Sequence, residues 1–246
     1  MAPLSLPNLK RFSLNVLGFF LPRFCLFCGA AVGEAAAQAV CPECEAQIEW
    51  VQSPLCLCCG RVFTAREGDD RLCGDCATET PPYDRARAAA LYEGPVAAAI
   101  KGFKFSAQMT FLPVLQSWLN HPECQEMVAC ADLLVPVPLH PRRLKARGFN
   151  QSWLLARGFK GAALGREVLT RVRYTVPQVG LKPKERRANV RAAFSVSHPE
   201  EVQGKNVLLI DDLYTTGSTV KECALALRRA GAARVEVLTV ARVKQE

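Results

Sequence analysis

Two groups of residues in this sequence have the types and spacing to do chemistry. The first is VLLIDDLYTTGSTV at 207–220, where four apolar residues run into adjacent carboxylates and then into small hydroxyl-bearing residues around a glycine. Backbone N–H groups of Thr215, Thr216, Gly217, Ser218 and Thr219, with the positive end of a helix dipole behind them, would form a phosphate cup. Asp211 and Asp212 cannot serve a phosphate, but carboxylates accept hydrogen bonds from vicinal hydroxyls such as those of a ribose. A sugar phosphate satisfies both halves at once. The plainer alternative is that the two aspartates only start a turn and cap a helix. The chain contains neither G-x-x-x-x-G-K nor G-x-G-x-x-G.

The second group is cysteine. Nine of the twelve lie between Cys25 and Cys76, as Cys25-x-x-Cys28, Cys41-x-x-Cys44, Cys56-Leu57-Cys58-Cys59 and Cys73-x-x-Cys76. Each Cys-x-x-Cys turn points two sulfurs to one side, and two turns supply the four thiolates of a tetrahedral zinc. Four turns make two structural zinc sites. Sequential pairing puts Cys25, Cys28, Cys41 and Cys44 on one metal and Cys56, Cys59, Cys73 and Cys76 on the other; interleaved pairing stays open. Gly29 and Gly60 follow the first knuckle of each half, where the turn around a metal needs positive φ. A redox role needs only one such pair, and with no export signal in view a disulfide framework is a poor fit. Cys58 is then a spare thiol, and Cys124, Cys130 and Cys223 read as small buried residues. The segment is poor in periodic apolar residues, so the metals are expected to replace a core.

These groups need elements to position them. A length of 246 residues suits one sizeable core plus a smaller module, read as an N-terminal helix and cysteine module over 1–84 and a larger α/β domain over 85–246. In the larger part, strands are expected at 86–92, 132–136, 168–173, 193–197, 206–210 and 234–240, with helices near 95–104, 109–119, 150–160 and 218–230. The alternation predicts a mostly parallel sheet covered by helices. Val220, Cys223, Ala224 and Leu227 share one helical face, Thr219 and Glu222 suit a capping box, and Arg228, Arg229 and Gly231 suit a helix end. On this reading Asp211 to Gly217 form the loop after a buried strand, at the sheet end where ligands bind.

Charge is uneven. Residues 1–85 hold 7 Lys or Arg against 10 Asp or Glu, leaving 24 against 13 in residues 86–246, within a net charge of +8. The basic excess favours phosphate-bearing ligands or nucleic acid, and is equally a solvated surface. Pro136 and Pro138 stop a strand and lead into a loop followed by Arg142, Arg143, Lys145 and Arg147, a cluster suited to pyrophosphate or to a nucleic-acid backbone. His140 is either a base or a structural residue. Lys101 and Lys104 flank Phe103 and Phe105 as in a single-strand stacking surface, although packing of the rings inward with both lysines in water is the favoured arrangement. Val16 to Leu21 is far too short to span a bilayer, so a cytoplasmic protein without membrane contact is expected.

VLLIDDLYTTGST resembles the phosphoribosyl pyrophosphate (PRPP) motif of type I phosphoribosyltransferases, with Tyr214 where an aliphatic residue is usual. VPVPLHPRRLKARGFNQS at 135–152, the spaced Thr175, Gln178, Leu181, Arg186 and Asn189 followed by AAFSV, and the cysteine pairs together resemble the ComF family of competence-associated proteins, also called GntX. The resemblance covers nearly the whole chain. It implies a type I phosphoribosyltransferase-like, mostly parallel sheet with flanking helices, preceded by a small double zinc ribbon. It also implies that the acidic pair binds ribose hydroxyls and the following loop the 5′-phosphate. Pro138, Leu139, His140 and Arg142 would then belong to a pyrophosphate loop, and Gln178, Arg186 and Asn189 to a flexible loop that closes over the site. The cofactors implied are two structural zinc ions, and Mg²⁺ with PRPP. The role implied is PRPP binding in the uptake or processing of single-stranded DNA during natural transformation; a third reading makes the zinc module a docking piece for a helicase-like partner. The alternative is a phosphoribosyltransferase acting on an unidentified acceptor.

Overall fold

The computed structural model of the chain describes residues 23–33, 39–65, 67–174 and 192–244. The expected N-terminal helix and the residues Gln178, Arg186 and Asn189 lie outside them. The chain divides into two compact units, 1–47 and 48–246.

The first unit holds a two-stranded antiparallel hairpin, β1 (Arg23–Phe24) with β2 (Ala31–Val32), and a four-residue helix α1 (Pro42–Glu45) that starts at Cys41. Gly29 turns the knuckle with φ 73°, its N–H donating to the Cys25 carbonyl at 3.0 Å.

The second unit opens with a copy of that pattern. The Gly60 N–H donates to the Cys56 carbonyl at 2.9 Å with φ 70°, and α2 (Gly74–Thr78) starts at Cys73. The main sheet follows. Its strands are β3 (Arg85–Leu91), β4 (Leu133–Pro136), β5 (Ala163–Leu164), β8 (Asn206–Tyr214) and β9 (Arg234–Arg242), all parallel in the order β3-β9-β8-β4-β5. Val207 to Ile210 are buried and unalternating because β8 is central and covered on both faces. The helices are α3 (Gly94–Phe105), α4 (Leu112–Trp118), α5 (Pro122–Ala129), α6 (Pro141–Arg147), α7 (Gln151–Ala156) and α8 (Ser218–Arg229). On α8 the buried residues are Ser218, Val220, Cys223, Ala224 and Leu227, the face expected from helical spacing. The Gly231 N–H donates to the Arg228 carbonyl and the Ala232 N–H to that of Leu227, closing the helix end.

Several expectations need correction. Strands near 168–173 and 193–197 exist as β6 (Leu169–Arg171) and β7 (Phe194–Val196), but they pair antiparallel with each other outside the main sheet. The residues after Pro138 are not a plain loop: Pro141 opens α6, since a proline at the first helical position sacrifices no hydrogen bond. The capping box of α8 is replaced by Gly217 as N-cap, and Glu222 Oε2 instead accepts the Ala192 N–H at 2.7 Å. Cys130 is exposed, whereas Cys124 and Cys223 are buried.

The second cysteine segment is not coreless either. Cys56, Cys58, Cys59, Cys73, Cys76, Tyr83 and Ala86 belong to the same apolar cluster as Val135, Leu209, Val237 and Leu227 of the sheet and α8. Contact is closest at Gly60, where an added Cβ would stand 2.5 Å from the Ala86 carbonyl oxygen. Gly60→Ala therefore combines left-handed strain with a backbone clash, and should cost on the order of 2–5 kcal/mol by thermal denaturation. Gly29→Ala meets nothing within 4 Å and should cost only the strain, about 1 kcal/mol.

Candidate functional site

The acidic pair lies within β8, not in the loop expected from sequence: the strand continues to Tyr214, with Asp211, Leu213 and Tyr214 in register with Thr239, Ala241 and Arg242 of β9. Asp212 is 3% exposed and is held by Lys104 Nζ at 2.9 Å, with Gln151 Nε2 donating to its Oδ2 at 3.4 Å. Asp211 Oδ1 accepts from Ser152 Oγ and from the Asp212 N–H, each at 2.9 Å. Asn150 places the first two residues of α7 here: its Oδ1 caps the helix by accepting the Ser152 and Trp153 N–H groups, and its Nδ2 donates to the Val137 carbonyl at 3.1 Å. Burial, then the neighbouring Asp212 charge, pushes the Asp211 carboxyl up to about 7; Lys104 and the Ser152 hydroxyl oppose that rise. Gln151 Oε1 is buried with no hydrogen-bond partner among the described residues, an acceptor left for a hydroxyl donor beside Asp212.

Thr215, Thr216 and Gly217 form the turn between β8 and α8, with Ser218 and Thr219 as the helix's first residues. Gly217 adopts φ 72°, and the Thr216 hydroxyl bonds the Ser218 hydroxyl at 2.7 Å. A twelve-residue helix thus begins immediately beyond the carboxylates, with its positive end at the turn.

Cationic groups gather nearby. Pro138 and Leu139 continue from β4, and His140 caps α6, its Nδ1 accepting the Arg142 N–H at 3.2 Å. Partial burial, then the charges of Arg142, Arg171 and Arg143, lowers the His140 pKa. With Nδ1 engaged by the Arg142 N–H, the ring is fixed in place as the cap of α6. On α6 the basic residues split: Arg142 and Lys145 are exposed, whereas Arg143 and Arg147 are half-buried. Burial and then the Arg143 charge lower the pKa of Arg171, on β6, while burial, offset by the Asp212 charge, lowers that of Arg147. Neighbouring cations of this kind have the chemistry to meet a polyanion.

The cysteine sulfurs fall into two groups, Cys25, Cys28, Cys41 and Cys44, and Cys56, Cys59, Cys73 and Cys76, each with all sulfurs within 4.8 Å of one another. Four sulfurs at about 2.3 Å from a tetrahedral centre stand about 3.8 Å apart. Cys28 and Cys41 are 3.5 Å apart, and Cys59 and Cys73 3.7 Å, so the donor set fits zinc. The Cys41 N–H donates to Cys25 Sγ at 3.4 Å, and the Cys73 N–H to Cys56 Sγ at 3.3 Å. Burial raises both acceptor thiols, but these and other backbone donors prevail and bring each down to about 6. Cys58 stands apart, its Sγ 3.9 Å from the Tyr83 carbonyl.

The sequence did not reveal Lys104, Gln151, Ser152 or Arg171 as companions of the acidic pair, whereas Arg147 belongs to the basic cluster already singled out for pyrophosphate. Lys104 was expected in water and instead is the direct counter-ion of Asp212, while Phe105, expected inside, is 67% exposed. Only the Asn150-Gln151-Ser152 run carried a local signal, a cap followed by polar residues at a helix start.

Comparison with known proteins is consistent with both parts. A double zinc ribbon domain matches residues 16–84, and a phosphoribosyl transferase domain matches residues 155–246. The DNA utilization protein YhgH of Escherichia coli K12 is 36% identical over 177 residues, covering 69% of this chain and 77% of that protein. Competence protein F of Haemophilus influenzae is 29% identical over 235 residues, covering 92% and 100%, and Competence protein ComFC of Bacillus subtilis is 27% identical over 218 residues, covering 83% and 85%. With its paired cysteine tetrads and its acidic strand ahead of a hydroxyl-rich turn, the chain belongs to the ComF/GntX family, in which a double zinc ribbon is joined to a phosphoribosyltransferase domain.

Proposed function

We propose that this protein binds PRPP with Mg²⁺ in its phosphoribosyltransferase-like domain, residues 85–246, and serves the handling of single-stranded DNA in competence. The zinc-ribbon module, residues 1–84, would carry two structural zinc ions and dock a helicase-like partner. The observation that carries the reading is the acidic pair on β8, Asp212 buried and Asp211 partly so, set directly before the turn into α8, with Gln151 Oε1 unpartnered beside it among the described residues. Asp211 and Asp212 would accept the ribose hydroxyls, Thr215 to Thr219 would hold the 5′-phosphate, and Arg143, Arg147 and Arg171 would face the pyrophosphate. Lys104 already neutralises Asp212, so Mg²⁺ is best matched to the phosphate oxygens of the ligand, where it would offset their charge. Competence proteins among the relatives support the cellular role.

A second reading, transfer to an acceptor, draws on Asp211, whose carboxyl titrates near neutrality. The acceptor would give its proton to that carboxylate as its lone pair bonds ribose C1 and the C1–O bond to pyrophosphate breaks.

Two outcomes are expected. Asp211 must be ionised to accept both hydroxyls, and its pKa is raised to about 7 from 3.8. Mg-PRPP binding should therefore release a proton near pH 6.5, and affinity should fall as pH drops below 7, approaching about tenfold per pH unit. Calorimetry in buffers of different ionisation enthalpy reads both, and Asp211→Asn with Asp212→Asn should abolish binding. Without ligand, the folded state keeps a proton between pH 4 and 7 that the unfolded state has lost, so stability falls as pH rises through that window. Asp211→Asn should accordingly gain in melting temperature over the parent there.

The split of α6 gives the other outcome. Replacing exposed Arg142 and Lys145 with Ala should lower the salt slope of single-strand binding by about 1.4, from about 0.7 per phosphate contact, and leave Mg-PRPP affinity unchanged. Replacing Arg143 and Arg147 should do the reverse. Anisotropy titrations over a salt series, paired with calorimetry, distinguish the two. Absence of single-strand binding at low salt, with acceptor-dependent release of pyrophosphate, would favour the transferase reading.

A further inference from the structure

We infer that the second cysteine tetrad braces the phosphate-binding turn, so that metal occupancy at Cys56, Cys59, Cys73 and Cys76 regulates anion binding at Thr215 to Thr219. The identity of the bound anion rests on the PRPP reading above; the brace itself does not.

The connection is continuous. The Cys59 carbonyl accepts from Arg242 Nη1 at 2.7 Å, the Arg242 guanidinium lies 5.3 Å from the centre of the Tyr214 ring, and the Tyr214 hydroxyl meets the Tyr83 hydroxyl at 2.7 Å. The Tyr214 ring lies directly against the backbone of Gly217: a Cβ built there would fall 2.3 Å from the hydroxyl oxygen and 2.6 Å from the carbon that bears it. The residue that fixes the start of α8 therefore rests on a phenol whose hydroxyl is anchored by Tyr83. Tyr83 is the last aromatic of the cysteine segment, and its carbonyl faces Cys58 Sγ. All three linking side chains are almost wholly buried, at 2% for Tyr83 and Arg242 and 6% for Tyr214.

Arg242 also explains why the link depends on metal. Its Nη2 has no hydrogen-bond partner among the described residues, although it is buried. A buried guanidinium needs an anion, and four thiolates around one zinc ion carry a net double negative charge beside Cys59. With the metal lost, the four sulfurs are no longer held together beside Cys59, and the arginine that packs on Tyr214 loses the charge cluster that holds it there. Tyr214, which departs from the aliphatic residue usual in the motif it resembles, is accounted for by this arrangement: an aliphatic side chain could pack beneath Gly217 but could not reach Tyr83.

Hydrogen exchange of the Thr215 to Val220 amides tests the brace without any ligand. Tyr83→Phe and Tyr214→Phe each keep the ring and remove one hydroxyl, so both proteins should retain two zinc ions by metal analysis. In each, the turn amides should exchange about fivefold faster, as for one lost buried hydrogen bond, while those of β8 and β9 stay as in the parent. The double variant should add nothing further. Cys73→Ser, with one zinc lost, should accelerate the turn more than either phenylalanine variant. Mg-PRPP affinity should weaken in step. Turn exchange unchanged in both phenylalanine variants, or acceleration spread equally over β8 and β9, would overturn the brace, even if Cys73→Ser fails to fold. A parent protein that shows the exchange pattern but no Mg-PRPP binding would leave the brace standing and remove the ligand assignment.

Discussion

Two carboxylates on consecutive residues of a buried central strand are a constraint that the rest of the domain has to meet. Each costs solvation, and each raises the cost of ionising the other. The surroundings answer with one direct cation, Lys104 on Asp212, and with hydroxyl, amide and backbone donors from the start of α7 and from β8 itself. Asp211 has no such cation at contact distance among the described residues, and it is the member whose carboxyl is held near neutrality. Lys104 on α3 and the helix start capped by Asn150 supply what these two side chains lack.

How much of this is legible in the sequence depends on distance along the chain. The β8 to α8 passage reads directly, because a continuous apolar run, a glycine and a helical stripe are local signals. The two cysteine groups are local as well, each closing over fewer than twenty-five residues. The reach of β8 past Asp211 and Asp212 does not read directly, since acidic residues are poor strand formers and are held there by pairing with β9. Helix α6 is hidden behind its prolines and has no buried residue, so no apolar stripe announces it. Lys104 finds Asp212 across 108 residues, and Arg171 reaches the acidic neighbourhood from β6, encounters that only the tertiary fold creates.

The duplicated cysteine units show how one local pattern acquires different roles. Knuckle, cap and sulfur-directed N–H recur in both, yet Gly29 faces open space and Gly60 lies against the Ala86 carbonyl. The same turn has open space at its glycine in one copy and is part of a larger core in the other. That difference is invisible in the spacing of the cysteines, because it lies in Tyr83, Ala86 and Arg242, none of which belongs to the repeated pattern.

The segment beside the second cysteine unit also covers the outer side of β3. The Val51 N–H donates to the Ala89 carbonyl, the Leu91 N–H to the Glu49 carbonyl and the Ala86 N–H to the Cys58 carbonyl, while Trp50 bridges antiparallel to Ala90. A free parallel strand rich in alanine would be a template for pairing with a neighbouring chain. Here several of its outward groups are already taken, and the opposite end of the sheet is closed by the two-residue β5. Among the described residues neither margin offers a long unpaired ladder, an arrangement that works against strand-by-strand association.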